Sequence, residues 1–344
     1  MDARKARLNW RTRLSYWCGS VTHSVLFRIQ EASHADKIKS AVVPPPLFLL
    51  GFWRSGTTFL HELFCCDQRF GFPSTYACLN PSHFLLSEPW VQNRKVQEQA
   101  QRQMDNMLYS WISPQEDEFA LLALGAPSAY QALLVPSLMG DPKALLCLRS
   151  AEEQTRWTSA LKYYLQLLTV QQGKAMVLKS PPHGFRLPLL PALFPQARYV
   201  LIERNPYEVF ASNLKLWRTL LDMYSLESYQ LNDIETFVLE AYVLHEEAVA
   251  AGTRLIDPRC WARVHYEDLV ADPIGQMARL YAKLDLGDFA VVRSRIEQHV
   301  VSVAGYKRNQ FRVSPAQKAR VDAAWGEYIR AKGYGWPEQH VTVA

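Results

Sequence analysis

Gly51 and Gly56 bracket four residues between an apolar run, Leu47-Phe48-Leu49-Leu50, and the pair Thr57-Thr58. No other stretch constrains the fold as much. A short, uninterrupted apolar run ending at a glycine reads as a strand buried on both faces, as in parallel sheets. Helical spacing starts at Thr57, with Leu60, Leu63 and Phe64 on one side. A strand, a glycine loop and a helix N-terminus together aim backbone amides and the positive end of a helix dipole at one place. That is anion-binding architecture. The spacing Gly-x-x-x-x-Gly matches the nucleotide phosphate loop, but Thr57 stands where a lysine should follow the second glycine. That lysine normally reaches the terminal phosphates of a triphosphate, so its absence argues against a kinase or triphosphatase. The cation sits inside the loop instead, as Arg54.

The α/β rhythm continues downstream. A helical pattern near 152–170 leads into Ala175-Met176-Val177-Leu178 and then Lys179. Tyr199-Val200-Leu201-Ile202 leads into Glu203-Arg204. A long helical stretch, 235–251, precedes Ala262-Arg263-Val264-His265-Tyr266. Strands alternating with helices predict a mostly parallel sheet. With 344 residues, 49% apolar and 21% charged, the chain has material for one large α/β domain spanning 1–344. Residues 1–40 read as a basic helical arm. Leu14, Trp17, Val21, Val25 and Ile29 recur at helical spacing, so that face is expected on the body, with membrane-surface binding as the sharper alternative. Residues 75–150 mix helical patterns with proline and aromatic residues and read as a helical insertion over a pocket. Three helix starts carry cap signatures: Ser113-Pro114-Gln115-Glu116, Asn205-Pro206-Tyr207-Glu208 and Ser314-Pro315-Ala316-Gln317. They assign Glu116 and Glu208 to capping.

A net charge of +5 is too mild to argue for nucleic acid but suits a small polyanion held by local cations. The six cysteines form no C-x-x-C pair and read as reduced thiols. No apolar run is long enough to span a bilayer and no signal-like segment follows the basic start. The chain reads as soluble and cytoplasmic; a homodimer is compatible with this reading.

A second anion site is legible. Arg204 ends a strand and Ser212 lies eight residues on, in the following helix. Arginine offers a fixed fork of donors to phosphate oxygens, and serine adds a hydroxyl. The string Arg54-Ser55-Gly56-Thr57-Thr58 resembles the 5′-phosphosulfate loop of sulfotransferases. Arg204 and Ser212 resemble that family's 3′-phosphate clamp. Val264-His265-Tyr266-Glu267-Asp268-Leu269 resembles its Tyr-Glu-Asp-Leu segment, and Tyr306-Lys307-Arg308-Asn309 a late basic loop near the 3′-phosphate. The likeness runs from about residue 47 to 335 and is closest to bacterial and protein-tyrosine-type members. It implies a P-loop-type three-layer α/β/α sandwich with a helical insertion. It also implies 3′-phosphoadenosine 5′-phosphosulfate (PAPS) as donor, adenosine 3′,5′-bisphosphate (PAP) as product and no metal. The acceptor would be an alcohol: a small molecule, a lipid or a carbohydrate. Arg54, Ser55, Gly56, Thr57, Thr58, Arg204, Ser212, Lys307 and Arg308 would bind the donor.

In-line transfer of a sulfuryl group needs positioned cations and a base. Arg54 and Lys179 would supply the charge, Lys179 by its likeness to the family lysine on the bridging oxygen. For the base, Glu118 is the first choice because Glu116 is taken as the cap. His183 and His61 are alternatives. The glutamate that tyrosine-type members carry one loop after the arginine has no counterpart near Thr75. A kinase or triphosphatase, and a non-catalytic nucleotide-binding relative, are the competing readings.

Overall fold

Strand β1 (Leu47–Leu50) shows why the layers form. Leu47 and Leu49 enter one core with Leu60, Leu63 and Phe64. Phe48 and Leu50 enter a second core with Trp157, Leu161 and Tyr164. Each such side chain gains roughly 2 kcal/mol by leaving water, so a strand apolar at every position is driven between two layers of helix.

The computed structural model describes residues 10–95, 100–101, 108–305, 310–337 and 340–343. Helix α1 (Trp10–Ser40) precedes β1, and α2 (Thr57–Cys65) follows it. After strand β2 (Phe70–Gly71) come helix α3 (Phe84–Lys95) and the short helix α4 (Glu118–Ala123). Helix α5 (Ala151–Gln172) begins at a reciprocal Ser150–Glu153 capping box and ends at Gly173, whose φ of 63° a side chain would resist. It feeds β3 (Ala175–Lys179). Then follow β4 (Arg198–Glu203), α6 (Pro206–Tyr224), α7 (Leu231–Thr253), β5 (Trp261–His265), α8 (Pro273–Leu284) and α9 (Pro315–Ala331).

The five strands lie in the order β2-β3-β1-β4-β5, all parallel. From β1 the chain builds towards one edge and then crosses to the other. The reversal falls at β1, and in such sheets ligands bind beyond the strand C-termini at that point. Register aligns those ends: Leu49 opposes Lys179, Leu50 opposes Leu201, and Glu203 opposes His265. The loop after β1, Lys179 and Arg204 therefore meet at one rim. This is the three-layer sandwich that the resemblance implies. Among the described residues, no helix is long and apolar enough to cross a membrane.

Three expectations change. Val25 and Ile29 do not face the body but are 50% and 49% exposed. The packed side of α1 carries Gln30 and Ile38 instead. Periodicity reveals that a helix has an apolar face but not which face packs. The side chains of Leu14, Trp17 and Val21 lie outside the described residues. The Ser113 signature starts no helix: α4 opens at Glu118, and its N-cap Asp117 makes no side-chain cap bond. Ser113 Oγ instead accepts from the Ser110 amide. At Asn205 the cap is real, with Oδ1 accepting from Tyr207 N, but the reciprocal partner is Glu267, which takes the Asn205 amide. Ser314 and Gln317 do form a complete capping box.

Among its described residues, the 75–150 region carries α3, short helices and 3₁₀ turns such as Thr75–Leu79, Ala129–Leu133 and Pro136–Gly140, and the antiparallel pair Ala100–Gln101 and Leu108–Tyr109. Its Tyr130 and Leu133 pack with Trp53, Phe185 and Trp217 into a third core beyond the strand ends.

Candidate functional site

The loop after β1 is wound tightly. Ser55 N donates to Phe52 O at 3.1 Å. Arg54 has φ 70° and Gly56 φ 101°. Left-handed geometry is costly for arginine and easy for glycine. Gly56 has a second constraint, because a Cβ there would lie 2.3 Å from the Tyr266 ring. Gly56 is also the N-cap of α2 and offers it no side-chain acceptor. The first amides of a helix have no partner within the helix, so they face the loop's hollow. Ser55 and Thr57 are buried there, and Ser55 Oγ has no hydrogen-bond partner.

The two sequence motifs meet. Arg54 Nε donates to Ser212 Oγ on α6 at 2.9 Å, and Arg204 Nη1 donates to Arg54 O at 3.1 Å. Residues about 150 apart in sequence are thus bonded across the rim. Arg204 also pairs with Glu208 one turn on and stacks 4.4 Å from the Tyr266 ring centre. Its Nε is buried without a partner. The local ion pair and the bond to the loop therefore coexist. Glu203 is engaged elsewhere, by Lys332 at 2.7 Å and Arg263 at 3.2 Å. The Tyr-Glu-Asp-Leu segment braces this corner: Tyr266 sits under both Gly56 and Arg204, and Glu267 holds Asn205. Lys307 and Arg308 lie outside the described residues.

Beneath the loop, three consecutive acids meet three bases. Glu116 Oε1 accepts from Lys179 Nζ at 2.7 Å. Asp117 Oδ2 pairs with His183 Nε2 at 2.7 Å, and its Oδ1 accepts from Ser180 Oγ at 2.8 Å. Glu118 Oε2 accepts from Arg186 Nη1 at 2.8 Å. The bases come from the end of β3 and the 3₁₀ segment Pro181–Leu189. That segment is clamped by α7, since a Cβ on Gly184 would lie 2.3 Å from His245 Nε2.

Only the first rung reaches the cleft. Asp117, Glu118 and His183 are 0% exposed, whereas the Glu116 side chain retains 11%. Burial alone would raise the Asp117 carboxyl. The His183 ring, with hydrogen bonds from His183 and Ser180, outweighs it and holds the group below its usual range. Glu116 Oε2 also accepts from the Tyr130 hydroxyl, which in turn accepts from Trp53 Nε1 at 3.2 Å. Burial, then the Glu116 charge, pushes the Tyr130 phenol well above its usual range, so it stays a donor. Phe119 stacks on Tyr130 at 4.8 Å between centroids.

The two acids differ in their surroundings: Glu118 is fully buried and ion-paired to Arg186, whereas Glu116 is the carboxylate beside Lys179. His183 is as buried as Glu118. His61 is buried on α2, and burial, then the Lys179 charge, lowers it to about 3. A ring so reluctant to take a proton makes a poor base. Glu116 and Tyr130, which share this corner with Lys179, were not among the expected site residues. One available signal was that Lys179, His183 and Arg186 recur at spacings of four and three, matching the run Glu116-Asp117-Glu118.

Residues 45–290 match the Sulfotransferase family profile. The chain is 35% identical over 328 residues to omega-hydroxy-beta-dihydromenaquinone-9 sulfotransferase Stf3 of Mycobacterium bovis. The Mycobacterium tuberculosis protein of the same name is equally similar, and each alignment covers 94% of this chain and 84% of the relative. Among solved structures, sulfotransferase STF9 from Mycobacterium avium superposes with a TM-score of 0.71 at 19% identity, covering 90% of this chain and 82% of that one. Sulfotransferase STF1 from Mycobacterium tuberculosis gives 0.65 at 20% identity, covering 94% and 88%. The structural likenesses support the fold, while the profile and the closer relatives displace the kinase reading. The chain that joins an arginine-bearing glycine loop to a second arginine–serine pair belongs to the Sulfotransferase family.

Proposed function

We propose that this sulfotransferase takes its sulfuryl group from PAPS and delivers it to the hydroxyl of an apolar, lipid-like alcohol. The observation that carries the donor is the pair of hydrogen bonds joining Arg54 to Ser212 and Arg204 to Arg54, which sets two anion sites side by side at one rim. An adenosine phosphorylated at both ends needs two such sites. Two buried donors without partners at the rim, Ser55 Oγ and Arg204 Nε, fit oxygens of those phosphates. The loop amides and Arg54 would hold the 5′ side, and Arg204 with Ser212 the 3′-phosphate.

The chemistry follows from the first rung. As the acceptor oxygen attacks sulfur, the bond from sulfur to the leaving phosphate breaks and negative charge grows on the bridging oxygen. Lys179 turns from Glu116 to that oxygen and stabilises it. Glu116, released, takes the hydroxyl proton. Tyr130 keeps the carboxylate aimed, and the surrounding Trp53 and Phe119 favour an apolar acceptor. The 75–150 region would cover that acceptor. The relatives' name includes a hydroxylated menaquinone, a lipid of that class.

The test is a thermal-shift and transfer experiment. PAP should raise Tm, whereas ATP with magnesium should not. Radiolabelled PAPS should label a lipid fraction of a pooled extract. Stabilisation by ATP alone, or label found only in water-soluble products, would count against the donor or the acceptor respectively.

A further inference from the structure

Helix α1 is held on the body by polar contacts, with Ile38 as its buried apolar residue. Leu85 N donates to Gln30 Oε1 at 3.0 Å, Tyr163 OH to Glu31 Oε1 at 2.5 Å, and His83 Nε2 lies 2.9 Å from His23 Nδ1. At about 100° per residue, Val25, Ile29 and Ala32 fall on the opposite side. All three are exposed. Arg28 and Lys39, also exposed, flank this stripe, and α3 beside it carries Trp90, 66% exposed. In the sequence the stripe continues back through Val21, Trp17 and Leu14. A soluble helix normally buries its apolar face, so this one is oriented as if a partner covered it.

Charge identifies the partner. Positions 1–40 contain eight Lys or Arg and three Asp or Glu, a net +5, while the rest of the chain has thirty of each. The whole formal charge of the molecule thus resides on the arm that exposes the apolar stripe. Of the acids of α1, Glu31 is bonded to Tyr163, and Asp36 falls in line with the stripe one turn past Ala32, where it marks the stripe's C-terminal end. We propose that the outward face of α1 docks on an anionic phospholipid bilayer, with Val25 and Ile29 entering the interface and the basic residues meeting lipid headgroups. This surface is independent of the catalytic residues and would bring the enzyme to an acceptor that resides in the membrane.

The test uses the full chain and sedimentable vesicles of phosphatidylcholine, with or without phosphatidylglycerol. Binding should follow phosphatidylglycerol and fall about tenfold without it or in high salt. The double variant Val25→Ser, Ile29→Ser should bind about tenfold more weakly. Its thermal shift with PAP should be unchanged, which separates a lost surface from a lost fold. If the wild type shows no such shift, the donor assignment fails while the vesicle result still stands, with far-ultraviolet circular dichroism as the control for folding. Equal binding to both vesicles, no binding, or an unaffected double variant overturns the proposal. So does a dimer that the double variant dissolves, because a second copy would then be the occupant.

Discussion

A carboxylate can take a proton only from a hydroxyl it can touch, and Glu116 and Glu118 differ in that respect although they are two residues apart. Glu116→Gln should lower turnover by about a hundredfold or more while leaving PAP affinity nearly unchanged. Glu118→Gln should act on stability, because it strands Arg186 in the interior at a cost of about 3 kcal/mol. Steady-state rates and Tm for both variants decide the matter, and the reverse pattern would return the base role to Glu118. Tyr130→Phe removes the bond that aims Glu116 and should cost turnover about tenfold, again with little effect on PAP. The loop proposed to bind the anion was legible in the sequence because such a loop is local: strand, glycine and cation lie within a dozen positions. The proposed base, Glu116, was not, because its partner Lys179 is 63 residues away. Which acid faces that lysine depends on where α4 begins. A serine–proline signature placed that start too early.

At the scale of elements, the glycine loop works only because a neighbouring segment is shaped to it. Gly56 needs both its φ of 101° and the space over Tyr266. Gly56→Ala should therefore be destabilising by about 1–3 kcal/mol and should abolish most of the PAP-induced shift, as thermal melts with and without nucleotide would show. A full shift in that variant would mean that the loop can rearrange freely. Four of the five sheet strands and the helices that follow β1 and precede β3 and β5 were legible, since continuous apolar runs and 3.6-residue spacing are strong local signals, whereas the two-residue β2 was not. The orientation of α1 was not. Its body-facing side holds by hydrogen bonds to Gln30 and Glu31 and one between His23 and His83, which no hydrophobic pattern announces.

For the whole molecule, the C-terminal region is fastened to the sheet by charge. Lys332, just past α9, bonds Glu203 at the end of β4 and Glu246 on α7, the latter at 2.5 Å. Burial alone would raise the Glu246 carboxyl. His245 and Lys332 outweigh it and lower the group from 4.5 to about 2. A depressed carboxyl stabilises the fold above its unfolded value, and that stabilisation fades as pH falls through the folded one. Wild type should exceed Glu246→Gln by about 3 kcal/mol above pH 5, with the gap closing towards pH 2, measured by urea unfolding across that range. A gap independent of pH would assign the effect to packing. The parallel sheet was predictable from strand–helix alternation, whereas its order was not, because order depends on which strands find each other across the chain. The position of Tyr266 adds a consequence for synthesis. A nascent chain that has emerged only through Ser212 already contains every described residue assigned to the donor, yet the floor under Gly56 and the stacking surface for Arg204 have not been made. Nucleotide capture should therefore begin only after β5 and Tyr266 have left the ribosome and joined the sheet.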